Sequence, residues 1–597
     1  MAWTLIRGGT VVDGTGSPPF QADVGIRDGV IDAVGPDLSA PEGAQVMDAA
    51  GKLITPGFIN MHSHSDCSAA MYPNMESTLG QGITTEFAGH CGLGVAPVQH
   101  SWLYMFPEKK AFTKVMPEPP GGINPYNAYL VPTQRLREPF AQTYGQELDW
   151  TTYGQFLEHL RRVGLGANLA VVAGQAQIRL QAMGTDYHRD ATETEIAAME
   201  GALSEAMDGG ALGLSLGLDY EPGLFAGREE LLRLMKLVAA RGGIVTAHTR
   251  SRSHPYYGHA QSFLDGLREF LDLGRESGVR IHVSHIQNGY NVTPAHDGLI
   301  RAAVAKTLEE LDRARQAGVN VTWDVIPKYA YGPFHYPMAA SLFQPYVERC
   351  GGCAAFSRAL TLPDFRRQVV EEIRTGRHPS QGVFTRFDPQ ADPAWDTRYR
   401  FTRVQRAGCV GKTIREAAQG ADSLELLLDV LTEDPYAAMI SLGRRPEHTP
   451  DRDAFVARTE ATIGLDTWTL DYDAALSEGD LPLECGSPAT YEGMTVFLET
   501  ERDKGAAIEE TIRKLTGNAA RTLGLTDRGF VSQGLAADLL VLDWEHFSAR
   551  ENLADPRHGP QGLDYVLVAG QIAVDHGVHT HVRSGTVLGP EHRKGEN

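Results

Sequence analysis

The chain has 597 residues, and 54 Lys and Arg against 75 Asp and Glu leave a formal charge of −21. A surface this acidic repels phosphate backbones and no basic run offsets it, so nucleic acid is excluded as the expected partner. With 42% hydrophobic and 22% charged residues, the composition is that of a globular protein; mean hydropathy is −0.25, and no stretch nears the roughly 20 apolar residues of a membrane helix. No membrane association is expected, and small molecules are the expected partners.

The N-terminus, Met1-Ala-Trp-Thr-Leu-Ile-Arg-Gly-Gly9, enters a strand and turn at once, without the basic and apolar regions of a signal peptide, so a cytoplasmic location is expected. Leu5-Ile6, Val11-Val12, Val24-Gly25-Ile26 and Val30-Ile31 read as short strands, as do Ala537 to Asp543 and Tyr565 to Gly570 near the other end. These patterns predict a small β-sandwich built from both termini, residues 1–57 and 528–597.

Between them, apolar runs alternate with amphipathic helices, the pattern of a parallel α/β sheet. The runs are Ile54 to Met61, Gly82 to Ala88, Ala167 to Ala173, Ala211 to Leu216, Gly243 to Ala247, Val279 to Ser284, Val319 to Trp323 and Ala461 to Leu465. Eight runs predict a (β/α)8 TIM-like barrel over residues 58–527. Helices are predicted at Thr192 to Met207, Glu229 to Ala240 and Leu299 to Ala317; the second places Leu231, Leu234, Met235 and Val238 on one face. Residues 98–150 and about 333–455 are too long for single crossovers and are expected to form insertions that cover the barrel mouth as a lid. Six cysteines are too few for a disulfide scaffold. Cys350-Gly-Gly-Cys353 lacks the second pair of a structural zinc site and is read as core thiols.

Metal-binding residue types stand at the carboxyl ends of the predicted strands, where such a barrel carries its active site. The first ends His62-Ser63-His64, whose spacing points both imidazoles to one side of a strand. The second leads to Cys91, the fifth to His248, the sixth to His285 and the eighth to Asp466. Thiolate and imidazole suit Zn2+. Cys91, His248 and His285 can hold a tight ion, with His62, His64 and Asp466 lining its other side or holding a second, weaker one. Zinc would supply an activated water and a polarised carbonyl, and Asp466 is then the natural general base.

These residues lie in segments that resemble the amidohydrolase superfamily and, within it, the N-acyl-D-amino-acid deacylase family. The matching segments are Pro56-Gly-Phe-Ile-Asn-Met-His-Ser-His-Ser-Asp66, Gln81-Gly-Ile-Thr-Thr-Glu86 with Cys91-Gly92, Gly213-Leu-Ser-Leu-Gly-Leu-Asp-Tyr220 with Pro222-Gly223, Ser284-His285, and Gly524-Leu-Thr-Asp-Arg-Gly529 with Gly534 and Ala537-Asp538. A cysteine at the second strand marks the family. The resemblance implies cleavage of the amide bond of N-acyl-D-amino acids, with zinc on Cys91, His248 and His285, His62 and His64 at a second metal position, and Asp466 as base. It also implies Tyr220 near the substrate carbonyl.

The departures fall where the family grips the substrate carboxylate. Gln287 stands where a Lys is usual, the seventh-strand pattern D-x-Y-P-Y-x-x-G-S reads Asp324-Val-Ile-Pro-Lys-Tyr-Ala-Tyr-Gly-Pro333, and the later H-P-R reads Ser487-Pro-Ala489. A buried carboxylate without a cation costs several kcal/mol, so a different or neutral amide is expected as substrate unless Arg250, Lys328 or the 98–150 insertion rebuilds the clamp. A hydantoinase- or lactonase-like hydrolase of cyclic amides or esters is the runner-up, but the carboxylated Lys of hydantoinases and dihydroorotases has no counterpart in Gly213 to Tyr220. A nucleobase deaminase would need a carboxylate after His248, where Thr249-Arg250-Ser251 follows. A scaffold that lost its chemistry would show a missing ligand, and none is missing. The sequence leaves the oligomeric state open, a homo-oligomer included.

Overall fold

The apolar run from Ile54 to Met61 is cut at Gly57, and the cut separates two sheets. Leu53–Pro56 belongs to the sheet of the termini, and the first barrel strand is Phe58–Ser63. The Gly57 amide donates to the Asp538 carbonyl at 2.8 Å, and a Cβ on Gly57 would sit 2.1 Å from Thr84 Oγ1, so only glycine permits the crossing. The computed structural model describes residues 3–99, 101–104, 129–219, 221–250, 263–287, 297–327, 339–377, 393–441, 450–474, 477–478, 481–482, 488–550, 552 and 555–593.

The two termini form one nine-stranded sheet. Leu53–Pro56 lies at its centre, between Trp3–Val11 and Leu539–Leu542, with both neighbours hydrogen-bonded to it. Leu539–Leu542 is apolar throughout because it is buried on both faces. Leu539 and Val541 join Ile6, Val24 and Ile54 in the core of this sheet, whereas Leu540 and Leu542 pack into the main core with Phe58 and Ile83. Strand alternation thus joins sheet to barrel through one segment.

The barrel strands are Phe58–Ser63, Ile83–Ala88, Asn168–Val171 continued by Ala173–Gly174, Gly213–Gly217, Ile244–His248, Arg280–Val283, Val321–Val325 and Thr462–Ile463. Pairing between neighbours is parallel wherever it is formed. The ring closes through a parallel bridge between Ser63 and Thr467, with Asp466 N donating to His62 O at 2.8 Å and His64 N to Thr467 O at 2.7 Å. Near the end of the chain, Val587–Leu588 leaves the terminal sheet and pairs with the third barrel strand.

The predicted helices are found at Glu193–Asp208, Arg228–Ala240 and Asp297–Gln316. The first starts in a capping box in which Thr192 and Glu195 satisfy each other's backbone amides. Leu231, Leu234, Met235 and Val238 are fully buried. Of the insertions, Ser101–Tyr104 pairs with Tyr129–Pro132. Residues 339–377 and 393–441 form short helices and an antiparallel strand pair around a core of their own, which includes Phe343, Phe356, Phe401 and Leu427. Cys353 and Cys409 are buried in that core and Cys350 packs on its edge, all as free thiols.

Asp538 ties the terminal sheet to the barrel. It accepts from Arg528 Nη1 at 2.7 Å and Asn168 Nδ2 at 2.9 Å, both buried, and from the half-buried Ala569 N at 2.8 Å. Arg528 keeps a second carboxylate in Asp527, 3.0 Å away, but without Asp538 it and the buried Asn168 amide each lose an acceptor, at a cost of about 1–3 kcal/mol. Asp538→Ala is therefore expected to lower the thermal unfolding midpoint clearly; a midpoint equal to that of the parent chain would show that this junction carries no stability.

Candidate metal centre

Alternation along the strands points Asn60 and His62, Thr246 and His248, His282 and Ser284, and Thr322 and Asp324 in matching pairs, all buried except the half-buried Thr322. On the opposite phase Ile59, Met61 and Phe87 pack with Leu523 and Ala519. The barrel therefore carries a polar lining toward its carboxyl end inside an apolar wall.

At the strand ends the backbone turns sharply. Cys91, His285 and Asp466 all have left-handed backbone, with φ of 59°, 38° and 56°. Non-glycine residues adopt this conformation at a cost of order 1–3 kcal/mol, and such strain collects at functional sites. All three side chains converge on one place.

Two donor sets meet there. Single ligand atoms of His62, His64, Cys91 and Asp466 lie within 4.8 Å of one another, and so do those of Cys91, His248 and His285. Cys91 Sγ is common to both, 3.4 Å from His62 Nε2 and 3.4 Å from His285 Nε2. Asp466 Oδ1 is 3.3 Å from His62 Nε2 and 3.1 Å from His64 Nε2. Zinc–ligand bonds of about 2.0–2.3 Å give tetrahedral edges of roughly 3.3–3.8 Å, so these separations fit donors gathered around a zinc-sized cation. His64 Nδ1 and Asp466 Oδ2 are buried without a hydrogen-bond partner among the described residues. The donor chemistry, thiolate with imidazole and one carboxylate, also fits zinc.

Electrostatics agree. Burial opposes ionisation of Cys91, yet His62 and His285 outweigh it and hold the thiol well below its ordinary range. Burial likewise opposes the Asp466 carboxylate, but His62 and His64 keep it ionised far into acid. His64, disfavoured as a cation by burial, is pushed up to about 9 by Asp466 and Cys91. These shifts favour the ionised thiol and carboxylate beside the imidazoles, and a bound cation would take the place of protons.

Surrounding groups brace these side chains. His248 Nε2 lies 3.4 Å from Asp219 Oδ2, at the end of the fourth strand. Asn60 Oδ1 accepts from Leu465 N at 2.9 Å, next to Asp466, while its Nδ2 donates to Glu86 at 2.7 Å. Burial pushes Glu86 up to about 7 against the hydrogen bonds it accepts from Thr78 and Asn60. The His90 ring lies 4.1 Å from that of His62, tilted by 35°, and its Nδ1 lies 3.3 Å from Ser284 Oγ. Asp324, Asp219 and Glu86 were not singled out from the sequence as site residues. The available signal was their place within a strand or at its end, on the phase that faces the barrel axis.

The expected substrate-binding residues divide. Tyr220 and Lys328 lie outside the described residues. Gln287 is half-buried two residues beyond His285. Arg250 is buried and engaged: its Nε and Nη2 donate to Glu269, its Nη1 to Leu224 O and its Nη2 to Ala226 O. It pins the turn after the fourth strand, a position that does not suit the carboxylate clamp considered from the sequence.

Comparison with known proteins agrees with this architecture. Residues 45–322 match the Amidohydrolase family. D-aminoacylase of Alcaligenes xylosoxydans xylosoxydans is 30% identical over 98% of this chain and 97% of its own. N-acyl-D-glutamate deacylase of the same organism is 27% identical over 98% and 96%. Among solved structures, N-acyl-D-glutamate deacylase from Bordetella bronchiseptica, complexed with zinc and a phosphonate inhibitor, superposes with a TM-score of 0.66 at 24% identity, covering 98% of this chain and 99% of that one. Fold and full-length similarity together place the chain in the D-aminoacylase family of amidohydrolases, metal-dependent hydrolases of C–N bonds other than peptide bonds.

Proposed function

We propose that this protein is a zinc-dependent deacylase of an N-acylated small molecule whose amine half differs from the acidic D-amino acids named for its relatives. The observation that carries the metal part is the pair of donor sets sharing Cys91. Cys91, His248 and His285 would hold the tighter ion, and His62, His64 and Asp466, with Cys91 again, a second and weaker one. When bound, zinc supplies the Lewis acidity that polarises the amide carbonyl and activates water.

Asp466 is the proton carrier in this reading. Its Oδ1 is fixed between His62 and His64, which leaves Oδ2, buried and without a partner among the described residues, as the atom that accepts the proton of the attacking water and delivers it to the departing nitrogen. With His62 and His64 holding the carboxylate ionised, the base is ready at neutral pH. The left-handed turn at Asp466 aims it across the site toward Cys91.

The substrate part rests on Arg250. Its guanidinium is engaged by Glu269 and two carbonyls through Nε, Nη1 and Nη2, and Gln287 stands where the family has a cation. A neutral or differently charged amine half therefore meets a smaller desolvation penalty than a carboxylate does.

Three outcomes are expected. Cys91→Ala removes the donor common to both sets, and should purify without stoichiometric zinc and without hydrolytic activity; normal zinc content with full turnover would refute the ligand assignment. Asp466→Asn should keep the tighter zinc equivalent while kcat falls roughly 10²–10⁴-fold, and unchanged kcat would remove Asp466 from proton transfer. In a hydrolysis panel of N-acyl-D-amino acids against neutral amides and esters of similar size, kcat/KM should be higher for the neutral set. Preference for the N-acyl-D-amino acids would return the protein to the specificity named for its relatives.

A further inference from the structure

Asp324, on the seventh strand, is fully buried and serves no step above. Its Oδ1 lies 3.2 Å from His62 Nδ1 and 3.1 Å from His282 Nε2, and its Oδ2 accepts from the His285 backbone amide at 2.9 Å. A carboxylate only accepts, so Nδ1 carries a proton, and the opposite nitrogen, Nε2, turned toward Cys91 and Asp466, is the one whose proton a cation would displace. His282 is held in turn by Thr322 Oγ1, 2.8 Å from its Nδ1. The sequence leaves room for this contact. Gly464 passes so close that a Cβ there would sit 2.4 Å from His62 Cβ and 2.7 Å from Asp324 Oδ2.

We propose that Asp324 is a positioning residue of the metal centre, fixing His62 as the Nδ1-protonated tautomer and anchoring the left-handed turn at His285 through the same carboxylate. One anion thus sets a side chain of one donor set and the backbone of the other, so the two sets keep a constant relation to Cys91. Outer carboxylates of this kind orient ligand imidazoles and raise their basicity, and their loss commonly costs 10–100-fold in metal affinity. The inference rests on the reading of His62 as a ligand and adds to it the group that makes His62 one.

The test is a zinc titration of the full-length chain, stripped by chelation, against a chromophoric competitor. The parent chain should bind zinc, and His62→Ala should weaken one binding step. No zinc binding at all would overturn the functional reading and, with it, the role of Asp324. Where zinc binds, Asp324→Asn is expected to weaken that same step by roughly 10–100-fold and to add nothing in the His62→Ala background. Equal losses in both backgrounds would mark a general packing role and overturn the proposal, as would an unchanged affinity. A second readout does not depend on how the variant folds. Long-range 1H–15N spectra of the zinc-loaded, histidine-labelled parent chain, with the His62 signal assigned by its loss in His62→Asn, should show Nδ1–H; an Nε2–H tautomer would overturn the proposal.

Discussion

One buried thiolate organises this molecule. Cys91 stands between two groups of donors contributed by the first, fifth, sixth and eighth barrel strands, and its Sγ is the one atom both groups share. Burial alone would keep the thiol neutral; the imidazoles of His62 and His285 reverse that. The balance binds the parts to each other, because an uncompensated charge in such a place costs several kcal/mol. Barrel closure uses the same residues: the hydrogen bonds that join the eighth strand region to the first run from Asp466 N to His62 O and from His64 N to Thr467 O. The site is therefore part of the seam of the barrel, and a chain that closes the ring also assembles the donors.

Chemistry and specificity are carried by different parts of this architecture. The clustered donors sit at strand ends, where hydrogen bonds to neighbouring strands fix them. The turn after the fourth strand is held from both sides, by Arg250 on the carbonyls of Leu224 and Ala226 and by Arg179 on the carbonyl of Phe225. Cations that could have met a substrate are spent on backbone there. Such a division lets the contacts of the turn change while the donor cluster stays in place.

Much of this was legible in the sequence because strand and helix periodicity are local. The three helices lie within about two residues of their predicted limits, and His62, His64, Cys91, His248, His285 and Asp466, each marked by its position after an apolar run, have their ligand atoms brought together. What was not legible depends on contacts distant in sequence. Nothing in Ile54 to Met61 reveals that Gly57 hands the chain from one sheet to another, since the reason lies in Thr84 and Asp538. Val587–Leu588 reads as part of the terminal sheet until the third barrel strand is placed beside it. Arg250 looked available for substrate because Glu269, which occupies it, is a helical residue of ordinary appearance. Asp324 was visible as a letter of a family pattern, but its tie to His62 spans 262 positions.

The backbone at the centre explains why those distant contacts must be many. Left-handed φ at Cys91, His285 and Asp466 stores of order 1–3 kcal/mol at each residue, and isolated turns would relax. Here each is overdetermined: His285 N is held by Asp324 Oδ2 and Asp466 N by His62 O, and the Cys91 turn is followed by Gly92, whose amide donates to Ser215 Oγ at 2.8 Å. The hydrogen bonds fix the turns before any ion arrives, so little reorganisation remains for binding itself. A preformed set of donors binds more tightly than one that must be gathered, and the strain carried by the folded chain is the counterpart of that readiness.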